Sequence, residues 1–185
     1  MNLLTQVKAV REGGAVVRCH TVPRAPYYDN AQHQYGAVSL LLLLHPNPSV
    51  GLIRAVLWHD VAERWVGDVP APAKLGNETL KTVLGNAEQA IMERLGLGRL
   101  IPAEDMDQVY EDVRWLKAVD ILELWLWCRE NMPAHDRMTL ACQEYIGEKH
   151  KEGTFPKEAW DFFRDEFPRN THIRLPDRVD CLPQF

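Results

Sequence analysis

The chain has 185 residues and a formal net charge of −5 at pH 7, with 46% hydrophobic and 25% charged residues, which is typical of a single globular domain with a substantial core. The acidic balance argues against a nucleic-acid-binding protein, because such proteins usually carry a basic surface. The longest apolar run, residues 40–44, is far too short to cross a bilayer, and the first twelve residues lack the apolar segment of a signal peptide.

Apolar residues recur at helical spacing along nearly the whole chain, and no segment shows the alternation of a half-buried strand. Glycines, prolines and the N-cap candidates Ser49 and Asn77 divide the chain. The predicted helices cover about residues 2–11, 31–44, 50–65, 78–95, 103–129 (one helix, or two with a kink), 134–150 and 157–167, with a loop over residues 67–74. We expect an all-α fold, a compact single-domain helical bundle over residues 1–169, and an irregular tail over residues 170–185.

Three of these helices carry an ionisable residue on an otherwise apolar face, since residues three or four apart share one side of a helix. A lone histidine there is usually a hydrogen-bonded core residue. A buried aspartate without a partner is costly and requires a counter-charge or a cation, although Asp120 can also pair with Arg114 or Lys117 or face solvent. The three faces consist of His33, Ala37, Leu40 and Leu44; of Leu52, Val56, His59 and Glu63; and of Val109, Val113, Leu116, Asp120, Leu124 and Trp127.

Together, His33, His59, Asp60 and Asp120 supply two imidazoles and two carboxylates. Such a set of nitrogen and oxygen ligands suits zinc, cobalt, manganese or iron and leaves room for water. His59 and Asp60 point about 100° apart on a helix, so they can share one ion only if it lies between their directions. The spacing permits this geometry without fixing it.

The order of these residues resembles the signature of the HD-domain phosphohydrolases: a histidine, an adjacent His-Asp pair and a distant aspartate. The segment HDVAERWVGDVPAPAK, residues 59–74, resembles the helix and loop of the 5′-deoxynucleotidase branch. The segment LKAVDILELWLWCRE, residues 116–130, is similar to the family segment that contributes the last aspartate. The segment VVRCH, residues 16–20, is similar to an arginine-containing segment near the start of the family domain. The resemblance covers roughly residues 1–150 and implies a helical bundle of the HD-domain type.

The resemblance implies one divalent metal ion (Co, Mn, Zn, Fe or Mg) on His33, His59, Asp60 and Asp120. It also implies a catalytic carboxylate at Glu63, a supporting one at Asp68, and phosphate-binding cations at Arg18 and Lys74. No histidine lies between His59 and Asp120, where dinuclear members of the superfamily need additional ones, so the site is expected to be mononuclear.

Each of these assignments has a simpler alternative. Glu63 can be a solvated residue paired with Arg64 or Lys74, Asp68 can form an Asx-turn, and Arg18 and Lys74 can be surface charges.

The residues after Arg18 depart from the family pattern, which usually has a tryptophan there. Cys19 and His20 occupy these positions as candidate substrate-binding residues, and the preference for deoxyribose is therefore open. His20 either stacks on a base or reaches a phosphate, or it is an ordinary loop histidine.

The implied activity is hydrolysis of the 5′-phosphate ester of a deoxynucleoside monophosphate, with a deoxynucleotide as the bound partner. The alternative is a triphosphohydrolase that acts on a dNTP such as dATP, as compact phage relatives do. A non-catalytic nucleotide-binding regulator and a purely structural helical protein are the remaining classes.

The four cysteines, Cys19, Cys128, Cys142 and Cys181, form no CxxC pair, which favours free thiols and a cytoplasmic location, or the host cytoplasm if the protein is phage-encoded. Trp125 and Trp127 point to different faces of a predicted helix, so at least one is expected outside the monomer core. Together with the oligomeric habit of the family, this favours a homodimer or larger homo-oligomer that binds neither nucleic acid nor a membrane.

Overall fold

The computed structural model describes residues 2–23, 25–98, 106–133 and 136–166. Within these ranges the chain forms helices and loops, and extended pairing is limited to an isolated antiparallel bridge between Val17 and Asp29. The predicted all-α class is therefore confirmed, while the predicted tail over residues 170–185 lies outside the described residues. None of the described helices is long and apolar enough to cross a membrane. The helices are α1 (Leu3–Gly14), α2 (Asn30–Leu44), α3 (Val50–Trp58), α4 (Glu63–Val66), α5 (Ala71–Leu75), α6 (Glu78–Arg94), α7 (Met106–Asn131), α8 (Arg137–Lys151) and α9 (Lys157–Glu166).

Side-chain caps mark where five of the described helices begin, namely α1, α2, α3, α6 and α8. Asp29 Oδ1 accepts a hydrogen bond of 2.9 Å from the amide of Gln32 at the start of α2. Ser49 Oγ accepts one of 3.0 Å from the amide of Leu52 at the start of α3, and Asn77 plays the same part for α6. The predicted caps Ser49 and Asn77 are confirmed, and each satisfies an amide that has no partner within the first helical turn.

The main hydrophobic core surrounds α7, which packs against α2, α3, α8 and α9. Leu41, Leu52, Leu122 and Trp125 are among its fully buried side chains. Burial of an apolar side chain of this size stabilises a fold by about 1.5–3 kcal/mol. The core therefore holds α2, α3 and α7 in fixed relative positions, and these helices carry or adjoin the predicted metal ligands.

The buried face of α7 differs from the predicted one. Val113, expected inside, is 43% exposed, whereas Trp115 and Val119 line the core. Trp125 and Trp127 are both buried, so the expectation that one of them lies outside the monomer core is wrong. Because several helices surround α7, more than one of its faces is covered, and a single apolar stripe does not describe it. The homo-oligomer loses this support and stays a prediction.

The predicted third helix is interrupted where the His-Asp pair occurs. Helix α3 ends at Trp58, residues 59–62 form a turn, and α4 begins at Glu63. The amide of Val61 donates to Trp58 O at 3.1 Å and that of Glu63 donates to Asp60 O at 3.0 Å, spacings that tighten the chain as in a 3₁₀ turn. The predicted continuous helix is therefore wrong here, and the predicted loop over residues 67–74 contains the short helix α5.

A smaller core supports this turn. Gly13 of α1 lies so close to it that a Cβ at Gly13 would be 2.9 Å from the Cα of Val61. The packing fixes the segment that carries His59 and Asp60 against α1 and α6. The buried members of this core are Ala9, Val61, Ala62, Met92 and Leu95.

Candidate metal centre

The four predicted metal ligands meet between α2, the turn over residues 59–62, and α7. Asp60 Oδ2 lies 3.2 Å from His59 Nε2 and 3.8 Å from His33 Nε2. Asp120 Oδ1 lies 3.1 Å from His33 Nε2 and 3.7 Å from His59 Nε2. The ligand atoms of His33, His59 and Asp60 all lie within 4.8 Å of one another, so these three side chains could hold one metal ion. Asp120 faces the same two nitrogen atoms.

The Nε2 atoms of both histidines are buried and form no hydrogen bond within the described part of the chain. His59 Nδ1 lies 2.8 Å from the carbonyl oxygen of Val56, which can only accept, so Nδ1 carries a hydrogen and Nε2 presents its lone pair when the ring is neutral. His33 Nδ1 is likewise bonded to the carboxylate of Glu123. Buried polar atoms without a partner are rare. The two Nε2 atoms and the carboxylate of Asp60 could hold one divalent cation, and Asp120 faces the same two nitrogen atoms.

The turn after α3 explains how two neighbouring residues face one site. Adjacent residues on a regular helix point about 100° apart. Here the helix ends at Trp58, and the tightened turn brings the side chains of His59 and Asp60 to within 3.2 Å of each other. The geometry that the sequence left open is therefore achieved by breaking the helix.

Asp120 contacts the histidines and neither of the two basic residues that the sequence offered as alternatives. Arg114 instead donates to the carbonyl oxygen atoms of Thr154 and Gly153, at 3.1 and 3.3 Å, and Lys117 is exposed and forms no ion pair with Asp120 among the described residues. The Arg114 contact ties α7 to the loop before α9 and leaves Asp120 facing His33 and His59.

Negative charge dominates the space between the two imidazoles. Burial lowers the pKa of His59, but the carboxylates of Asp60 and Asp120 outweigh it and raise that pKa to about 10. Burial also opposes ionisation of Asp120, yet the neighbouring imidazoles of His33 and His59 hold its pKa well below the usual range. Groups that stabilise a proton on an imidazole can stabilise a metal cation in its place, since metal binding displaces that proton.

Glu63 lies beside this cluster at the start of α4 and is only 5% exposed, so it is not a solvated residue. Its Oε2 accepts a hydrogen bond of 3.0 Å from Nδ2 of Asn30. Arg64, the partner suggested by the sequence, lies 3.4 Å from Glu12 instead. Burial and the neighbouring Asp60 raise the pKa of Glu63 to about 7. A carboxyl group that titrates near neutral pH is suited to accepting and releasing a proton.

Arg18 brings a positive charge to the cluster. Its Nη1 forms an ion pair with Asp60 and donates to Asn30 Oδ1 at 3.1 Å. The side chain is 12% exposed, so the surface-charge alternative does not hold. Arg18 Nε is buried and has no hydrogen-bond partner among the described residues, which leaves one donor for an acceptor on a ligand.

Cys19 and His20, the other predicted substrate-binding residues of segment 16–20, lie beside Arg18. Cys19 has a φ of 55° in the left-handed region, which costs on the order of 1–3 kcal/mol for a residue other than glycine. Its thiol packs against the apolar cluster of Tyr28 and Trp127, and burial raises its pKa to about 11. His20 is exposed, and its Nδ1 lies 3.7 Å from Oδ2 of the half-buried Asp68. Asp68 thus faces His20, and no backbone amide within the described ranges donates to it as in an Asx-turn.

Lys74 is half-buried on α5 and forms no ion pair in the part of the chain that the structure describes. Its charge acts on Glu88 of α6. Burial raises the pKa of Glu88, and the negative charge of Asp60 raises it further, whereas the positive charges of Lys74 and Lys117 lower it. Helix α5 packs against α6, which places Lys74 near enough to Glu88 for its charge to act there. The role of Lys74 in binding phosphate stays a prediction.

Three residues of the site were not predicted from the sequence. Glu123 follows Asp120 by three residues and shares its side of α7, a signal that the helical spacing contained. Asn30 precedes His33 by the same interval on α2. Tyr28 lies in the loop before α2, and no spacing rule points to it.

Comparison with other proteins gives no assignment. No protein-family model matches the chain, and no curated protein matches it. We therefore infer the function from the geometry of the His-Asp cluster and from the resemblance of its motifs.

Proposed function

We propose that this protein is a metal-dependent phosphohydrolase that cleaves the 5′-phosphate ester of a deoxynucleotide. The observation that supports it most strongly is the pair of buried, unpaired Nε2 atoms of His33 and His59, which face the carboxylates of Asp60 and Asp120. Two carboxylates held against two buried imidazoles are costly to desolvate, and a shared divalent cation would balance their charge.

A divalent cation held by these four side chains would polarise a phosphoryl oxygen and lower the pKa of water toward about 7. Glu63 supplies the proton acceptor. Asn30 fixes its Oε2, so the other carboxylate oxygen can accept a proton from the attacking water. General base catalysis of this kind contributes roughly 10²–10⁴ in rate.

Arg18 supplies the positive charge that a phosphate requires. Asn30 holds its Nη1, and the unpaired Nε is a donor that a phosphate oxygen satisfies. A guanidinium group can clamp two oxygen atoms in one plane, which a lysine cannot do. Arg18 and the metal cation would together balance the charge of the phosphate within a net acidic protein.

The nucleotide part of the proposal is supported by the resemblance of residues 59–74 to the 5′-deoxynucleotidases. Lys74 and Lys117 both oppose the raised pKa of Glu88, on which Asp60 also acts. Two cations beyond Arg18 favour, as a second candidate, a substrate with more than one phosphate. A dNTP triphosphohydrolase is therefore the alternative.

The test is turnover of dAMP, AMP and dATP by the protein supplemented with Co²⁺ or Mn²⁺, with identification of the released phosphate species. Glu63→Gln is expected to keep the metal and lose 10²–10⁴-fold in rate. Glu12→Gln, a surface carboxylate paired with Arg64, is the matched control and should behave as the wild type. Release of triphosphate from dATP alone would favour the alternative. Nucleotide binding without turnover under every metal would refute an enzyme.

A further inference from the structure

We propose that Glu123 is a positioning residue that orients His33 toward the metal ion, and that Gly36 is required for it to do so. The inference rests on the metal centre of the proposed function. It concerns two residues to which the family resemblance assigns no role.

Glu123 is held in a buried chain of hydrogen bonds. His33 Nδ1 donates to Glu123 Oε2, and the hydroxyl of Tyr28 donates to the same oxygen. The Tyr28 ring is itself fixed by stacking on Trp127, with ring centroids 4.3 Å apart. His33 and Tyr28 are fully buried, so no water competes for these contacts.

Helix α7 thereby contacts both nitrogen atoms of one imidazole ring. Asp120 and Glu123 are three residues apart and lie on the same side of the helix. Asp120 Oδ1 is 3.1 Å from His33 Nε2, while Glu123 accepts from Nδ1. The ring cannot rotate or exchange the roles of its nitrogen atoms without breaking the bond to Glu123.

Gly36 provides the space for this arrangement. A Cβ on Gly36 would lie 2.6 Å from Cγ and 2.9 Å from Oε1 of Glu123. Gly36 follows His33 by three residues on α2, as Glu123 follows Asp120 on α7. On each helix a predicted metal ligand is thus followed three residues later by a residue of this arrangement, Gly36 on α2 and Glu123 on α7. A side chain at Gly36 would displace the Glu123 carboxylate.

A carboxylate behind a metal-binding histidine fixes the tautomer, orients the ring and raises its basicity, and loss of such a partner typically costs 10–100-fold in metal affinity. Glu123→Gln keeps an acceptor of the same shape and loses the charge, so we expect the metal affinity to fall about 10-fold. Glu123→Leu removes the acceptor as well as the charge, and its metal affinity should fall about 100-fold. Gly36→Ala should resemble the Glu123 variants, although it changes no polar atom.

Two measurements test the proposal. The first is the affinity for Co²⁺ alone, by calorimetry, for wild type, both Glu123 variants and Gly36→Ala. Gly147→Ala is the matched control, because Gly147 also lies within a helix and a Cβ there would meet nothing within 4 Å. The second is the proton resonance of His33 Nδ1–H in the metal-free protein, which a hydrogen bond to a buried carboxylate moves far downfield.

We expect the graded loss of affinity, an upfield shift of the resonance in Glu123→Gln and its disappearance in Glu123→Leu. Affinities of both Glu123 variants within twofold of wild type, or an unchanged resonance in Glu123→Gln, would overturn the proposal. If wild type binds no metal, the proposed function fails, and the resonance alone still decides whether Glu123 positions His33. If Glu123→Leu does not fold, the near-isosteric Glu123→Gln decides.

Discussion

Replacement of Asn30 by leucine should destabilise the metal-free protein by about 3–6 kcal/mol. Asn30 is fully buried; its Nδ2 donates to Glu63 at 3.0 Å, and its Oδ1 accepts from Arg18 at 3.1 Å. Hydrogen bonds to charged groups contribute about 1.5–3 kcal/mol each, and leucine has a similar size but can form neither. Two such bonds give the expected range, a large part of the roughly 5–15 kcal/mol that stabilises a typical domain.

The free energy of unfolding is measured by urea denaturation followed by tryptophan fluorescence, without added metal, so that a change in metal affinity does not contribute. Asn131→Ala is the control: its Nδ2 donates to Trp127 O at 2.9 Å from an exposed position, and its loss should cost no more than about 1 kcal/mol. An Asn30→Leu variant that unfolds at the wild-type urea concentration would show that Asn30 does not hold Glu63 and Arg18 together.

Three further outcomes are expected. Gly13→Ala should lower the free energy of unfolding, measured by thermal denaturation, by about 1–3 kcal/mol, because its Cβ would lie 2.9 Å from the Cα of Val61. Gly85→Ala is the control: Gly85 is exposed, a Cβ there meets nothing within 4 Å, and the free energy of unfolding should rise by up to about 1 kcal/mol. Equal gains in both variants would contradict the packing of α1 on the turn. The rate of Cys19 alkylation, measured by mass spectrometry with Cys19→Ser as the control, should increase with pH up to about 11. Burial raises the pKa of the thiol, and only the thiolate reacts. A rate that reaches its plateau below pH 9 would contradict this burial. Arg64→Gln should change stability by no more than about 1 kcal/mol, since its ion pair with Glu12 is half exposed, and a larger loss would show a contact beyond that pair.

The helices themselves followed from local rules. Helical spacing predicted all-α structure, and Ser49 and Asn77 were identified as caps because a hydroxyl or amide before an apolar run satisfies the first amides of a helix. Local rules failed at His59, where the apolar pattern continues but the chain turns. That turn is fixed by packing of Val61 against Gly13, a contact between residues far apart in sequence that no periodicity reports.

The structure brings the predicted metal ligands together, whereas the residues that support them were not predicted. His33, His59, Asp60 and Asp120 are recognisable by residue type and order. By contrast, the partnership of Glu123 with His33 joins residues 90 positions apart, and it depends on the close approach of α2 to α7. Burial of α7 on several sides likewise could not be derived from one stripe of apolar residues, which is why Val113 was assigned to the core and proved exposed.

The metal centre itself is tested most directly by the stoichiometry of Co²⁺ binding to the protein after chelation and dialysis. We expect one ion per chain for the wild type and its loss in both His33→Ala and His59→Ala. His150→Ala, which removes an exposed imidazole stacked on Trp160, should bind as the wild type does. A wild-type protein that binds no Co²⁺, or His33→Ala and His59→Ala variants that bind it unchanged, would contradict a metal ion shared by these side chains.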